Sequence, residues 1–154
     1  MGFSDYHWYK VFNPVANRPS WQILPMIMQP KSKGKILLAS KDARVKPRII
    51  PNYFSDPDDI RVMIKGIRAA LEISKTPDMQ RYGSKLHLAP IPGCRNFAFN
   101  SDAYWECALR TYTMTIYHHA GSCKMGPDND PTSVVDPRLK VKIHLEPTIE
   151  MVLI

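Results

Sequence analysis

The sequence predicts an α+β fold in which part of an antiparallel sheet is flanked by helices. Two short apolar segments lie on either side of a turn cluster, which is typical of a β-hairpin. A longer segment places apolar residues three or four positions apart, which is typical of an amphipathic helix. The strand-like and helical segments do not alternate regularly, so parallel βαβ winding is disfavoured and an antiparallel sheet is expected.

The first predicted strand covers Trp21–Met28, an apolar run that contains Pro25. Because proline cannot donate a hydrogen bond to a neighbouring strand, this strand is expected at a sheet edge or a bulge. The turn cluster 30–34 leads into a second strand at Lys35–Ser40, and the spacing indicates that the two strands form a hairpin. Arg48–Tyr53 is predicted to be a further extended segment.

The first predicted helix begins after Asp56, which can cap it, and the proline and two acidic residues that follow suit its first turn. This helix is expected to end at Lys75. A short second helix is predicted from Thr76 to about Tyr82, where Gly83 ends it. The buried face of the first helix is predicted from residues at three- and four-residue spacing, namely Ile60, Met63, Ile64, Ile67, Leu71 and Ser74.

A third helix is predicted after Ser101 and Asp102, which can cap its first turn. Residues 1–20 show no clear period, residues 84–100 are loop-like, and residues 113–117 are rich in types that favour strands. The buried stripe of the third helix is predicted to be Tyr104, Trp105, Ala108, Leu109 and Tyr112.

The positive charge of the chain is concentrated near its start. The 154 residues carry a net charge of +7, and residues 1–48 hold nine Lys/Arg against two Asp/Glu, whereas residues 49–154 hold twelve of each. Such a stretch can contact phosphates, but Lys31, Lys33 and Lys35 are followed by Ile-Leu-Leu-Ala and lack interleaved aromatic residues. We interpret them as solvated residues that protect a hairpin edge, and we expect no nucleic-acid partner. A non-catalytic basic binding module is the alternative function.

Targeting and membrane segments are not evident. No apolar run reaches 18 residues, so no membrane-spanning segment is expected. The first eight residues lack the basic and apolar regions of a secretory signal peptide. The compartment in which the protein acts therefore stays open.

The three cysteines predict no metal centre. The chain contains no Cys-x-x-Cys or His-Glu-x-x-His pattern, and neighbouring histidines on a strand point to opposite faces. Cys94 and Cys107 are compatible both with a disulfide and with two buried free thiols, whereas Cys123 lies in a polar loop and is expected to be unpaired.

Residues 117–126 form the segment richest in chemical groups, Tyr-His-His-Ala-Gly-Ser-Cys-Lys-Met-Gly. The imidazoles of His118 and His119 can take or give a proton near neutral pH, and the small residues after them would let a flat ligand approach. A turn with two hydrogen-bonded surface histidines is the simpler interpretation. No Gly-x-Gly-x-x-Gly, P-loop or Gly-x-Ser-x-Gly motif occurs, so this chain alone is predicted to carry no dinucleotide or phosphate cradle.

The same ten residues, with Val-Val-Asp-Pro-Arg-Leu-Lys-Val at 134–141, resemble the C-terminal domain of glucose–methanol–choline (GMC) oxidoreductases. That domain usually reads close to His-x-x-Gly-Thr-Cys-x-Met-Gly and then Val-Val-Asp-x-x-Leu-x-Val. The resemblance is greatest to the insect glucose dehydrogenase branch. It predicts a partial GMC C-terminal domain at 1–141 and a divergent or truncated tail at 142–154. Further similar segments are 23–26, 30–38, 51–59 and 102–107.

The resemblance implies an FAD-dependent oxidoreductase that acts on the CH–OH group of a small alcohol or sugar. His118 matches the histidine that takes the substrate's hydroxyl proton while hydride moves to the flavin. His119, where many relatives have Pro or Ala, is the second-choice candidate. Family members bind FAD mainly in an N-terminal domain that is not part of this chain, so the chain is expected to be inactive alone.

Overall fold

The computed structural model of the chain describes residues 4–142 and the backbone of residues 151–153. Helices and a small antiparallel sheet occur together, consistent with the predicted α+β class. The described residues form two units, each built from two stretches of sequence. Unit 1 contains residues up to 28 together with 57–114, and unit 2 contains 29–56 together with residues from 115 onwards. Of the predicted tail, residues 143–150 and 154 lie outside the described residues.

Unit 1 is built around the long helix that the sequence predicts. Helices α1 (Asp5–His7) and α2 (Pro57–Ser74) are followed by α3 (Pro77–Gln80) and α4 (Asp102–Tyr112). The predicted apolar face of α2 is confirmed, since Ile60 is buried and the other five residues of that face are half-buried. Two acidic residues lie in its first turn, where the positive end of the helix dipole favours them.

The predicted start of the third helix is confirmed, whereas the second helix ends earlier than predicted. The Ser101 hydroxyl caps α4 by accepting a hydrogen bond from the Tyr104 backbone N–H at 3.1 Å. Helix α3 is shorter than predicted, and Gly83 follows it with a φ of 66°, a conformation that glycine adopts without strain. Tyr104 is 1% exposed, and its hydroxyl accepts a hydrogen bond from the Ile91 N–H at 3.0 Å.

Two long-range ties hold unit 1 together. Cys94 and Cys107 form a disulfide with a Cα–Cα distance of 5.8 Å, so the first of the two alternatives left open by the sequence is the observed one. Cys123 is exposed and free, as expected. The guanidinium of Arg68, on α2, donates to Asn100 Oδ1 at 2.7 Å and to the Asn100 carbonyl at 2.8 Å. These bonds connect α2 to the turn that precedes α4.

Unit 2 contains an antiparallel sheet with the strand order β2-β1-β3. The strands are β1 (Gly34–Leu37), β2 (Arg48–Ile50) and β3 (Met151–Leu153). Ile36 of β1 lies opposite Ile49 on one side and Met151 on the other. Gly34 allows β2 to approach, because a Cβ at this position would lie 2.3 Å from the Ile50 carbonyl oxygen.

The predicted strand at Trp21–Met28, and with it the predicted hairpin, is wrong. This segment contains no strand, and the antiparallel partners of β1 are β2 and β3. Pro25 cannot donate to a ladder, and its ring packs against α2, where a Cβ on Gly66 would lie 3.1 Å from the Pro25 Cβ. Leu24 and Met28 are 70% and 81% exposed, so the apolar run reflects neither strand pairing nor a buried core.

Other predicted elements differ in extent. The predicted strand Lys35–Ser40 is observed at 34–37, and the extended segment Arg48–Tyr53 contains β2, which ends before Pro51. Residues 113–117 form no strand. The first residues of the described chain form short helical turns that their composition did not predict, and His7 packs edge-to-face on Tyr112 with ring centroids 5.4 Å apart.

None of the described helices is both long and apolar enough to span a membrane.

The disulfide yields a prediction about stability. The paired cysteines are 13 positions apart, and closing a loop of this size stabilises the folded state by about 3 kcal/mol through the unfolded chain. The double variant Cys94→Ala/Cys107→Ala is expected to lose at least this much free energy of unfolding in urea titrations. Cys123→Ser, which removes the exposed thiol, is the control and should leave the midpoint unchanged. Equal midpoints for all three proteins would contradict the prediction.

Candidate functional site

The two histidines predicted to carry chemistry lie in a loop of unit 2, residues 117–126, which we call the histidine loop. Tyr117 enters it with a φ of 67° and Gly121 turns it with a φ of 110°. A tyrosine rarely adopts a positive φ, so the start of the loop is held in an unfavourable conformation. Both histidines are exposed. The structure therefore brings the predicted residues together on one surface loop but gives the two imidazoles different surroundings.

The imidazole of His119 is held by two neighbouring side chains. Its Nε2 lies 2.9 Å from the Tyr53 hydroxyl, and the two rings are nearly parallel, with an interplanar angle of 8° and centroids 6.4 Å apart. The Thr115 hydroxyl lies 3.5 Å from the same nitrogen and accepts a hydrogen bond from the Tyr117 N–H at 3.0 Å. His119 is thus tied both to a distant segment and to the start of its own loop.

The imidazole of His118 is presented to solvent. Within residues 4–142, no group hydrogen-bonds to its ring or stacks on it. A neutral imidazole has one unprotonated nitrogen that can accept a proton. Among the described residues the His118 ring therefore has no partner, whereas Nε2 of His119 is already engaged.

Tyr53 lies in a turn that is held by hydrogen bonds to other segments. Asn52 and Phe54, on either side of it, have φ values of 53° and 60°. The Asn52 side-chain amide donates to the Lys33 carbonyl at 3.0 Å, and the Asp56 N–H donates to the Ser32 hydroxyl at 3.0 Å. Asparagine tolerates the left-handed region, but phenylalanine rarely enters it. The turn is therefore held in place by bonds to the residues that precede β1.

The far end of the histidine loop is anchored by Lys124. Its ammonium donates to Asp130 Oδ2 at 2.8 Å and to the Thr132 hydroxyl at 2.6 Å. Gly126 lies against the same turn, where a Cβ would be 2.9 Å from the Ser133 Cβ. Lys142 donates to the Ser133 hydroxyl and to the Asp130 carbonyl, so two ammonium groups hold this turn.

The segment after this turn is a second anchored element. The predicted extended piece at 134–137 forms isolated bridges, with Val135 paired to Met125 and to Val141. Asp136 is 7% exposed, and one of its carboxylate oxygens accepts the backbone N–H groups of Arg138 and Lys140, each at 2.8 Å. These bonds give a structural reason for an acidic residue in the Val-Val-Asp-Pro motif, because its carboxylate accepts the backbone N–H groups of the tight turn that follows.

Asp130, which is bonded to Lys124 of the histidine loop, has a lowered pKa. The hydrogen bond from the Lys124 ammonium, followed by bonds from the Thr132 hydroxyl and N–H, holds the pKa of the Asp130 carboxyl well below its usual range. The carboxylate therefore stays ionised under ordinary conditions and keeps Lys124 in place.

Two clefts of the described chain are not lined by the two histidines. A cleft of about 490 Å³ in unit 1 is lined by residues such as Arg68 and Ser84, and one of about 310 Å³ in unit 2 is lined by residues such as Lys33 and Lys35. Among residues 4–142, no three His, Cys, Asp or Glu side chains lie together as metal ligands would. The histidine loop is thus a surface feature of the described chain, suited to meeting something that comes from outside it.

Tyr53 is the residue of this site that sequence reasoning missed. It lies 66 positions before His119, and no local pattern reports a contact over such a distance. The only local signal is Asn52, which often marks a left-handed turn.

Comparison with known proteins gives a consistent result. Residues 30–144 match the family model described as GMC oxidoreductase. The chain is 45% identical over 125 residues to glucose dehydrogenase (FAD, quinone) of Drosophila pseudoobscura pseudoobscura, covering 81% of this chain and 20% of that protein. It is 42% identical over 113 residues to alcohol dehydrogenase (acceptor) of Pseudomonas putida, covering 73% and 19%. Choline oxidase of Arthrobacter globiformis is 35% identical over 124 residues, covering 79% and 22%. The chain spans about a fifth of the length of these relatives.

Asp130 yields a prediction about pH. Below about pH 4 an unfolded chain protonates this carboxyl, whereas the folded chain keeps it ionised to lower pH. The unfolded state then binds more protons, so the stability that Asp130 contributes is present above about pH 4 and is lost on further acidification. Urea midpoints measured from about pH 2 to 6 should fall more steeply for the unaltered chain than for Asp130→Asn. Asp128→Asn, on the same turn but not bonded to Lys124, should behave like the unaltered chain, and parallel curves for all three would contradict the account.

Proposed function

The chain belongs to the glucose–methanol–choline (GMC) oxidoreductase family, and on this basis we propose that it is the substrate-facing part of an FAD-dependent oxidoreductase that acts on the CH–OH group of a small alcohol or sugar. The relatives are named for glucose, alcohol and choline, all of which carry a hydroxyl group. The observation that carries the proposal is the solvent-facing imidazole of His118 on a loop anchored at both ends.

In this proposal His118 is the general base. Its unprotonated ring nitrogen accepts the hydroxyl proton of the substrate, and the alkoxide character that develops makes it easier for the carbon to release hydride. When bound, FAD supplies the acceptor for that hydride. His118 suits this task because its ring has no competing partner in the described residues, so it can turn toward a substrate oxygen.

His119 has a supporting role in the same proposal. Its Nε2 already lies 2.9 Å from the Tyr53 hydroxyl, so proton transfer through that nitrogen would require breaking an existing contact. We therefore assign proton transfer to His118 and assign His119 to holding the loop.

The residues present fit one end of an FAD molecule. The loop combines an exposed imidazole with the small residues Ala120, Gly121 and Ser122, which would let a flat ring approach. The seven glycines include no Gly-x-Gly-x-x-Gly run, so this chain offers no helix-starting turn for the pyrophosphate. The histidine loop would meet the reacting ring, and holding the phosphates falls to residues that this chain does not contain. We therefore propose that the chain alone has no turnover.

The base assignment is tested in a hybrid enzyme. In it, residues 30–144 of this chain replace the matching segment of the Drosophila glucose dehydrogenase, and flavin reduction is followed by stopped-flow absorbance. His118→Ala is expected to slow flavin reduction by about 10²- to 10⁴-fold, because general-base catalysis typically contributes this much. His87→Ala, which removes an exposed imidazole in unit 1, is the matched control and should leave the rate unchanged. An unchanged rate in His118→Ala at equal FAD content would remove His118 from the mechanism.

The competing hypothesis, a non-catalytic basic module, makes a different prediction. Lys33 and Lys35 line one cleft of unit 2, while Arg44 is already paired with Asp42 at 2.9 Å. The oxidoreductase proposal predicts weak heparin binding by the chain and a shallow dependence of affinity on salt. A steep loss of affinity between about 50 and 200 mM salt, abolished in Lys33→Ala/Lys35→Ala, would favour the basic module instead.

A further inference from the structure

We propose that Tyr53 is a positioning residue: its hydroxyl holds the imidazole of His119, and this contact fixes the histidine loop so that the neighbouring imidazole of His118 is presented to substrate. The inference rests on the proposed function, in which His118 is the base. Tyr53 itself touches neither substrate nor cofactor in this proposal, and it acts only through His119.

The contact constrains the ring of His119 in more than one way. The distance of 2.9 Å between the hydroxyl and Nε2 sets where the ring lies, and the two rings are tilted by only 8° from parallel. A single exposed hydrogen bond stabilises a fold only slightly. A hydrogen bond between aligned rings, however, defines an orientation of the imidazole, which is what a loop carrying a catalytic group requires.

Backbone strain points to the same contact. Five non-glycine residues of the described chain have a positive φ, and three of them, Asn52, Phe54 and Tyr117, directly flank Tyr53 or His118. For Phe54 and Tyr117 this conformation is unfavourable, and it persists only where the surroundings enforce it. The two strained turns meet at the contact between Tyr53 and His119. We infer that this contact helps to enforce both turns.

We assign the Tyr53 hydroxyl as the donor of this hydrogen bond, a direction that depends on the tautomer of His119. A phenol is a good donor, and a neutral imidazole offers one nitrogen as acceptor. With Nε2 accepting from Tyr53, the proton of the neutral ring lies on Nδ1 of His119. Removing the phenolic hydroxyl should therefore change the distribution of the two tautomers of His119 but not that of His118.

Nuclear magnetic resonance of the full 154-residue chain tests this inference without flavin or substrate. In Tyr53→Phe, the ring-nitrogen signals of His119 are expected to shift. The backbone order parameters of residues 118–122 are expected to fall from about 0.85 toward 0.6. Tyr82→Phe, which removes the phenolic hydroxyl of a residue in unit 1 that is 87% exposed, should change neither. Unchanged His119 signals and order parameters in Tyr53→Phe would overturn the proposal.

Substitutions at His119 separate positioning from a general structural role. His119→Gln keeps an acceptor for the Tyr53 hydroxyl and should retain an ordered loop, whereas His119→Ala should not. In the His119→Ala background, adding Tyr53→Phe should cause no further loss of order, because the two residues act through one contact. Additive losses in the double variant would show that Tyr53 acts by another route and would overturn the proposal.

Kinetics in the hybrid enzyme distinguish failure of this proposal from failure of the proposed function. Tyr53→Phe is expected to lower kcat by about tenfold with little change in KM, because misplacing a base affects the chemical step more than binding. His119→Gln should retain most of the activity. If His118→Ala slows flavin reduction and Tyr53→Phe does not, the positioning role is wrong while the base assignment stands. If neither variant slows it, the base assignment fails and the resonance measurements still decide whether Tyr53 holds the loop.

Discussion

Specific long-range ties, rather than a large apolar core, organise the described residues. Among residues 4–142, the buried apolar side chains are Ile60, Cys94, Tyr104, Ala108 and Leu109, all of them in unit 1. Burial on this scale contributes modest stabilisation per side chain, so the remaining shape is set by directed contacts. The disulfide and the Arg68 bonds serve unit 1 in this way, and the bond between Tyr53 and His119 serves unit 2. A few specific bonds therefore set the positions of the two histidines on their loop.

This constraint explains the different surroundings of the two histidines. The Tyr53 hydroxyl contacts the imidazole of His119, and the ion pair between Lys124 and Asp130 holds the other end of the loop. The His118 ring, which directly precedes the first of these anchors, has no partner among residues 4–142. In the proposed function, this combination of an anchored backbone and a free ring suits a base that meets a substrate.

The sequence predicted the helices better than the sheet, and the reason is physical. Helix α2 could be predicted because its cap, its first-turn acids and its apolar period are all local signals. The strand predicted at Trp21–Met28 was wrong because an apolar run does not show by itself which other segment it will contact. Here Pro25 packs on helix α2 instead of joining a sheet. The disulfide could be named only as one of two alternatives. The motif around His118 was visible as a pattern, but the contact with Tyr53 spans 66 positions and has no local signature.

The central claim, that His118 is the base presented by an anchored loop, is tested most directly by a crystal structure. The hybrid enzyme should be solved with FAD and an unreactive alcohol bound. The account predicts an imidazole nitrogen of His118 at hydrogen-bond distance, about 2.6–3.2 Å, from the alcohol oxygen, with the ring of His119 still on Tyr53. An alcohol oxygen held by His119 or by another residue, with the His118 ring turned away from it, would contradict the account.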